Sequence, residues 1–299
     1  MKLFFHSIFI VFFILTILIG YATTEEIKEI DPAVLNNQGI AFGKEGQYDQ
    51  SIAFFNKAIE INPRFAEAYN NRGNAYNEKG QYDKAISDYN KAIEINPRFG
   101  MAYYNRGAVY GAKGQHDKAI YDFNKAIEIN PTYAKAYYNR GTVYGVKGQY
   151  DKAISDFSKA IEINPTYVKA YGNRGITHVK KGQYDLAITD WNKVIEINPK
   201  YSEAYNSKAW ILSTCPEAMY RDGVKAVELA KRALDIETNA EYLDTLAAAY
   251  AEAGKFEDAI KTQEKVIDLL RKEGKPKTII DRSKKRIESY KAHKPWRQK

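Results

Sequence analysis

Between residues 32 and 201 the apolar positions recur in two registers at once: every three or four residues within short stretches, and every 34 residues along the chain. In 66–99, Tyr69, Gly73 and Tyr76 step by four and three, and Ala85, Tyr89, Ala92, Ile93 and Ile95 take up the same rhythm after a break at Gly80. Such spacing puts each set on one face of an α-helix. Gly80 ends the first helix because glycine accepts the left-handed cap conformation. Asp83 falls in the first turn of the second helix, where a negative charge suits the dipole. Asn96-Pro97 stops that helix, since the residue before proline resists the helical region. The predicted unit is a helical hairpin.

The hairpin is copied. Asn56-Lys-Ala-Ile-Glu-Ile-Asn-Pro63 returns at 90–97 and 124–131, and nearly unchanged at 158–165 and 192–199. Five regular units follow, 32–65, 66–99, 100–133, 134–167 and 168–201, with glycine at positions 8 and 15 and proline at position 32 of each. A glycine inside a helix costs about 1 kcal/mol relative to alanine. Gly73 therefore implies a compensating close approach, expected to come from the small Ala85 and Ala92 of the second helix.

This pattern resembles the tetratricopeptide repeat, a 34-residue hairpin with an aromatic-Leu-Gly-Tyr, Ala-aromatic and Pro signature. The second unit reads Tyr69, Arg72-Gly73, Tyr76, Ala85, Tyr89 and Pro97; the third has Tyr103, Gly107, Tyr110, Ala119, Phe123 and Pro131. Arginine replaces the signature leucine at 72, 106, 140 and 174, with its stem expected on apolar surface and its head in water. The resemblance implies an all-α superhelical solenoid of antiparallel helix pairs, closed by a C-terminal capping helix.

Two less regular units extend the stack. In the sixth, 202–239, Leu212 to Ala226 spans 14 residues where Tyr76 to Ala85 spans nine, so a longer turn runs from Ser213 to Gly223. Pro216 blocks helix continuation, and Asp222 can cap a helix over 224–234. The seventh, 240–273, carries Leu243, Ala247, Tyr250, Gly254 and Ala259. In 274–299, a charged helix from Pro276 to about His293 is expected to cover the open end of the stack with Ile279, Ile280, Ile287 and Tyr290.

The first 22 residues differ. Lys2 precedes an apolar run from Leu3 to Ile19, and Gly20-Tyr21-Ala22 offers small residues where a signal peptidase would cut after Ala22. The 17-residue run is shorter than the roughly 20 needed to span a bilayer. A signal peptide is favoured over an uncleaved membrane anchor, with an acidic linker over 23–31. No cysteine follows the run, so a lipoprotein signal is excluded. Export to a periplasmic or extracellular location is the expectation, with membrane association through this segment as the alternative.

Charge and chemistry narrow the functional classes. From Lys261 onward 14 Lys/Arg face five acids, so the formal net charge of +8 belongs to the tail. Mixed with acids and regularly spaced, the tail reads as a soluble capping helix, and no nucleic-acid partner is expected. The single Cys215 forms no intrachain disulfide and is expected to be a packed residue more than a reactive thiol. No phosphate loop, paired-histidine zinc helix, calcium loop or nucleophile elbow occurs, so no catalytic residue, cofactor or metal is assigned. His116 and His178 replace tyrosines at positions 17 and 11 and are expected in the core.

The candidate binding residues lie on the first helices. Position 6 is asparagine in every regular unit: Asn37, Asn71, Asn105, Asn139 and Asn173. An amide offers the donors and acceptor that a peptide group needs, so the column either holds an extended backbone or satisfies neighbouring helices inside the stack. The ladder lapses at Ser207 and Thr245. The family resemblance implies that positions 2, 5, 9 and 12 share the groove, adding Asn70, Asn74, Tyr104 and Tyr138. These features predict a non-enzymatic scaffold or adaptor for peptides or protein segments. A regulatory or substrate-presenting subunit of a separately encoded envelope enzyme is the alternative.

Overall fold

The computed structural model describes residues 31–297; the expected signal peptide or anchor and all but the last residue of the acidic linker lie outside them. The described residues form fifteen α-helices and one short 3-10 turn. Among them no helix is long and apolar enough to cross a membrane. The chain divides into two compact units at Lys118/Ala119.

The first unit contains α1 (Pro32–Lys44), α2 (Tyr48–Ile61), α3 (Ala66–Glu78), α4 (Tyr82–Ile95) and α5 (Gly100–Ala112). Each hairpin packs on itself and on the next first helix. Ala58 meets Leu35 and Ala68, Ala92 meets Ala66 and Ala102, and Tyr89 and Ala85 meet Val109. The boundaries follow the sequence cues. Gly80 has φ +69°, the left-handed geometry expected of a cap. Asn96 turns extended after Ile95, and its Oδ1 accepts from the Arg98 backbone N–H at 3.0 Å.

The second unit continues from within α6 (His116–Ile129) through α7 (Ala134–Val146), α8 (Tyr150–Ile163), α9 (Val168–Lys180), α10 (Tyr184–Ile197), α11 (Ser202–Thr214), α12 (Gly223–Ile236), α13 (Ala240–Glu252), α14 (Phe256–Lys272) and α15 (Lys277–Lys291). The long turn of the sixth hairpin begins after Thr214 and holds the 3-10 turn Ala218–Tyr220. As expected, the Asp222 carboxylate caps α12, accepting from the Lys225 backbone N–H at 2.9 Å. Helix α15 packs on α14 as the terminal cap. Its buried side is Ser283, Arg286, Ile287 and Tyr290, whereas Ile279 is 41% exposed. Ile279 sits in the first turn of α15 and is not covered, so the expectation fails there.

Two of the sequence's physical explanations are corrected. The glycine at position 8 faces the large ring at position 24, not the small alanines: a Cβ on Gly73 would lie 2.7 Å from the Tyr89 ring, and one on Gly175 would lie 2.8 Å from Trp191. The missing Cβ is the space into which Phe55, Tyr89, Phe157 or Trp191 is buried. Each buried ring contributes about 2–3 kcal/mol of apolar burial, more than the glycine costs.

The arginine at position 7 does not place its head in water. Arg72 donates through Nε and Nη2 to Asp88 at 2.8 and 2.6 Å, and through Nη1 to Asn56 of the preceding hairpin at 2.6 Å. Arg140 repeats this with Asp156 and Asn124, and Arg174 with Asp190 and Ser158. The bond to Asp88 raises the Arg72 pKa above its ordinary value; for Arg140, burial opposes the rise and the Asp156 partnership outweighs it.

Gly73→Ala is expected to destabilise the protein by about 1–3 kcal/mol despite the gain in helix propensity, because the ring behind it must move. Chemical denaturation of Gly73→Ala and of Gly73→Ala with Tyr89→Leu checks this; the second substitution should recover part of the loss. A stabilised single variant would contradict the packing described.

Candidate functional site

The asparagine column runs along the first helices, one amide per hairpin. Asn71 Nδ2 donates to Asn36 Oδ1 at 3.0 Å, Asn105 Nδ2 to Asn70 Oδ1 at 2.9 Å, and Asn173 Nδ2 to the Tyr138 hydroxyl at 3.0 Å. Position 6 of one hairpin is therefore bonded to position 5 of the hairpin before. Asn37, on the first helix, is exposed. Asn139 on α7 and Tyr104 on α5 are half-buried. Of the two roles open to these amides, the neighbour-satisfying one takes one N–H of Asn71, Asn105 and Asn173; a primary amide has a second.

The other sequence-selected residues are less accessible than their positions implied. Asn70 is 2% exposed and bonded on both sides, to Asn71 and from Asn105, so it lies behind the surface. Its position 5 points at the seam between hairpins, where the next first helix covers it. Asn74 is half-buried and accepts from the Tyr89 hydroxyl at 2.8 Å. Tyr138 leans on Tyr167 and Phe157 with centroid separations of 5.1 and 5.8 Å, and burial raises its pKa. Position 2 is the exposed row: Glu67 and Met101 in the first unit, Lys135, Lys169 and Glu203 in the second.

In the first unit a depression of about 220 Å³ is lined by Ile40, Tyr48, Asn71 and Asn74 among others. A larger trough opens in the second unit where the ladder lapses. One part, about 380 Å³, is lined by Asn173, Ile176, Trp191, Glu203, Asn206 and Glu241 among others. An adjoining part of about 340 Å³ adds Trp210, Asp244 and Arg286. Ile176 is 49% exposed at its rim. The Arg286 guanidinium lies over both Trp210 and Trp296, 5.1 Å from each ring, and is paired with Asp244, which also accepts from Gln263. Arg297, the last described residue, pairs with Glu252 at 2.6 Å.

Sequence reasoning did not select Trp191, Trp210, Glu203, Glu237 or Glu241. Trp210 left a signal, standing at position 9 where the earlier units carry Asn74, Ala108, Thr142 and Ile176. Cys215 and His178 are where a core reading puts them. Cys215 is fully buried with its thiol pKa pushed up by burial, and His178 Nδ1 lies 2.7 Å from Gln183 Oε1.

Comparison with known proteins agrees with this architecture. A family model described as tetratricopeptide repeat matches residues 66–99, 101–133, 134–167 and 168–201. A second repeat model matches 39–79 and a third 240–271. No curated protein matches the chain. Among solved structures, that of MamA is 30% identical, with a TM-score of 0.51 over 55% of this chain and 96% of its own. YrrB, described as a TPR protein with an unusual peptide-binding site, is 28% identical, with a TM-score of 0.51 over 63% of this chain and 96% of its own. A tetratricopeptide repeat protein from Parabacteroides merdae is 20% identical, with a TM-score of 0.61 over 87% of this chain and 98% of its own, and shows the shared fold.

Asn105→Ala is expected to cost about 1–3 kcal/mol by leaving the buried Asn70 Oδ1 without its donor. Asn37→Ala, on an exposed residue of the first helix, should change stability by no more than about 0.5 kcal/mol. Equal effects in equilibrium denaturation would show that the inter-hairpin bonds do not hold the column.

Proposed function

The chain belongs to the tetratricopeptide repeat family, and on that premise we propose that it is an exported scaffold that docks peptides or protein segments on the inner faces of its first helices. Its task on this reading is to assemble a larger complex at the cell envelope. The observation that carries the reading is the exposed position-2 row, Glu67 and Met101 in one unit and Lys135, Lys169 and Glu203 in the other, beside asparagine amides with an N–H to spare. Regularly spaced side chains over a floor of amides and aromatics suit an extended polypeptide, which presents one donor and one acceptor per residue. YrrB, similar over 63% of the chain and described as having a peptide-binding site, supports the same use. Export is supported by the apolar run Leu3 to Ile19 followed by Gly20-Tyr21-Ala22.

Position-specific photocrosslinking tests this. A photoreactive residue at Met101 or Lys135 should capture a discrete partner, and the same residue at Tyr121 or Leu186, exposed on second helices, should not. Capture of the same partner from both sets, or only from Tyr121 and Leu186, would contradict the inner-face reading. The mass of the protein recovered from cells should place its N-terminus at Thr23; a chain beginning at Met1 would replace secretion by anchoring.

A further inference from the structure

The sixth hairpin breaks the amide ladder and leaves one of its acceptors unused. In the regular stack a position-5 side chain accepts from position 6 of the next hairpin, as Asn36 does from Asn71 and Asn70 from Asn105. Asn206 occupies position 5 of the sixth hairpin and is 5% exposed. The next position 6 is Thr245, whose hydroxyl turns back on its own helix to the Glu241 carbonyl oxygen at 3.2 Å. Asn206 Nδ2 reaches Glu241 Oε1 at 3.4 Å, but its Oδ1 is buried without a hydrogen-bond partner among the described residues. Asn206 forms part of the wall of the 380 Å³ trough.

The rest of that wall is matched to the orphan acceptor in sign. Glu203, Glu237 and Glu241 line this 380 Å³ part, and no lysine, arginine or histidine does; the adjoining part carries Lys180 and Arg286, the latter paired with Asp244. Glu237 accepts only from neutral groups, Asn239 Nδ2 at 3.2 Å and Ser202 Oγ at 3.4 Å. Two helix N-termini, those of α11 and α13, also open here. Each is equivalent to about half a positive charge, so three carboxylates leave the trough with roughly two negative charges in surplus. Trp191 and the exposed Ile176 form an apolar border beside the acids.

We infer that this trough binds an arginine or lysine side chain of a partner polypeptide, with the neighbouring apolar residue of that partner resting on Ile176 and Trp191. The inference rests on the scaffold reading and adds the chemistry of the ligand. Guanidinium and ammonium groups carry donors only, and the charged side chains of this part of the trough, Glu203, Glu237 and Glu241, are all acceptors. A cationic donor directed at Asn206 Oδ1 satisfies an atom the fold leaves unsatisfied, while the carboxylates supply charge-assisted bonds.

The test titrates the full chain, kept soluble in mild detergent, with a blocked peptide of sequence Ser-Leu-Arg-Leu-Ser and with counterparts carrying citrulline or glutamate for arginine. The arginine peptide should bind at least about tenfold tighter than either counterpart. Glu203→Gln with Glu241→Gln should abolish that preference while the melting curve is retained, and Glu60→Gln, exposed on the second helix α2, should leave it intact. Equal binding of all three peptides would overturn the inference and leave the scaffold reading standing; binding by none would overturn both. Self-association of the chain that is lost in the double glutamine variant would assign the trough to a second copy and also overturn the inference.

Discussion

A guanidinium ties each of three regular hairpins to the one before it. Arg72, Arg140 and Arg174 each hold two oxygens of an aspartate on their own second helix and one polar oxygen on the second helix of the preceding hairpin. Their aspartates are nearly buried, with side-chain exposures of 8, 7 and 4%. A carboxylate so placed is costly unless paired, and the planar fork of arginine is the group that pairs it bidentately. The aromatic residue three positions earlier, Tyr69, Tyr137 or Tyr171, covers the guanidinium from the side. Intra-hairpin closure and inter-hairpin register are thus set by one side chain. The surface pairs that also span hairpins, such as Lys113 with Asp83 at 2.6 Å, have highly exposed aspartates and add at most about 1 kcal/mol each.

Much of this was legible before any coordinates. The 34-residue period, the glycine caps and the Asn-Pro stops place every regular helix, because each is a local constraint on one stretch of backbone. The misreadings concern partners 16 or 35 residues away, which helical periodicity does not address. Periodicity places the Arg head in water and the Gly73 gap against Ala85 and Ala92, whereas Asp88 and Tyr89 occupy those roles. A signal for the first was present: the second to fifth units pair Arg at position 7 with Asp at position 23, and the first unit has Gln38 and Phe54 instead. Asn70 shows the same limit, since its place on the first helix is correct and its burial depends on the next hairpin.

The polar ladder changes along the chain. Where the repeats are uniform, position-5 and position-6 side chains bond to each other beside an exposed position-2 row. Where the sixth hairpin departs, with Ser207 and Thr245 in place of asparagine and Trp210 at position 9, polar capacity is released into a trough and acids gather around it. Arg286 lies over Trp210 and Trp296 and is paired with Asp244 beside it.

The buried guanidinium is what holds one hairpin to the next. A double-mutant cycle on Arg140 and Asp156, with Arg140→Met and Asp156→Leu read by equilibrium denaturation and analysed as a one-dimensional array of repeats, measures it directly. The expected coupling is about 2 kcal/mol or more, with each single variant worse than the pair. A coupling below about 0.5 kcal/mol would mean that the hairpins are held by apolar packing alone.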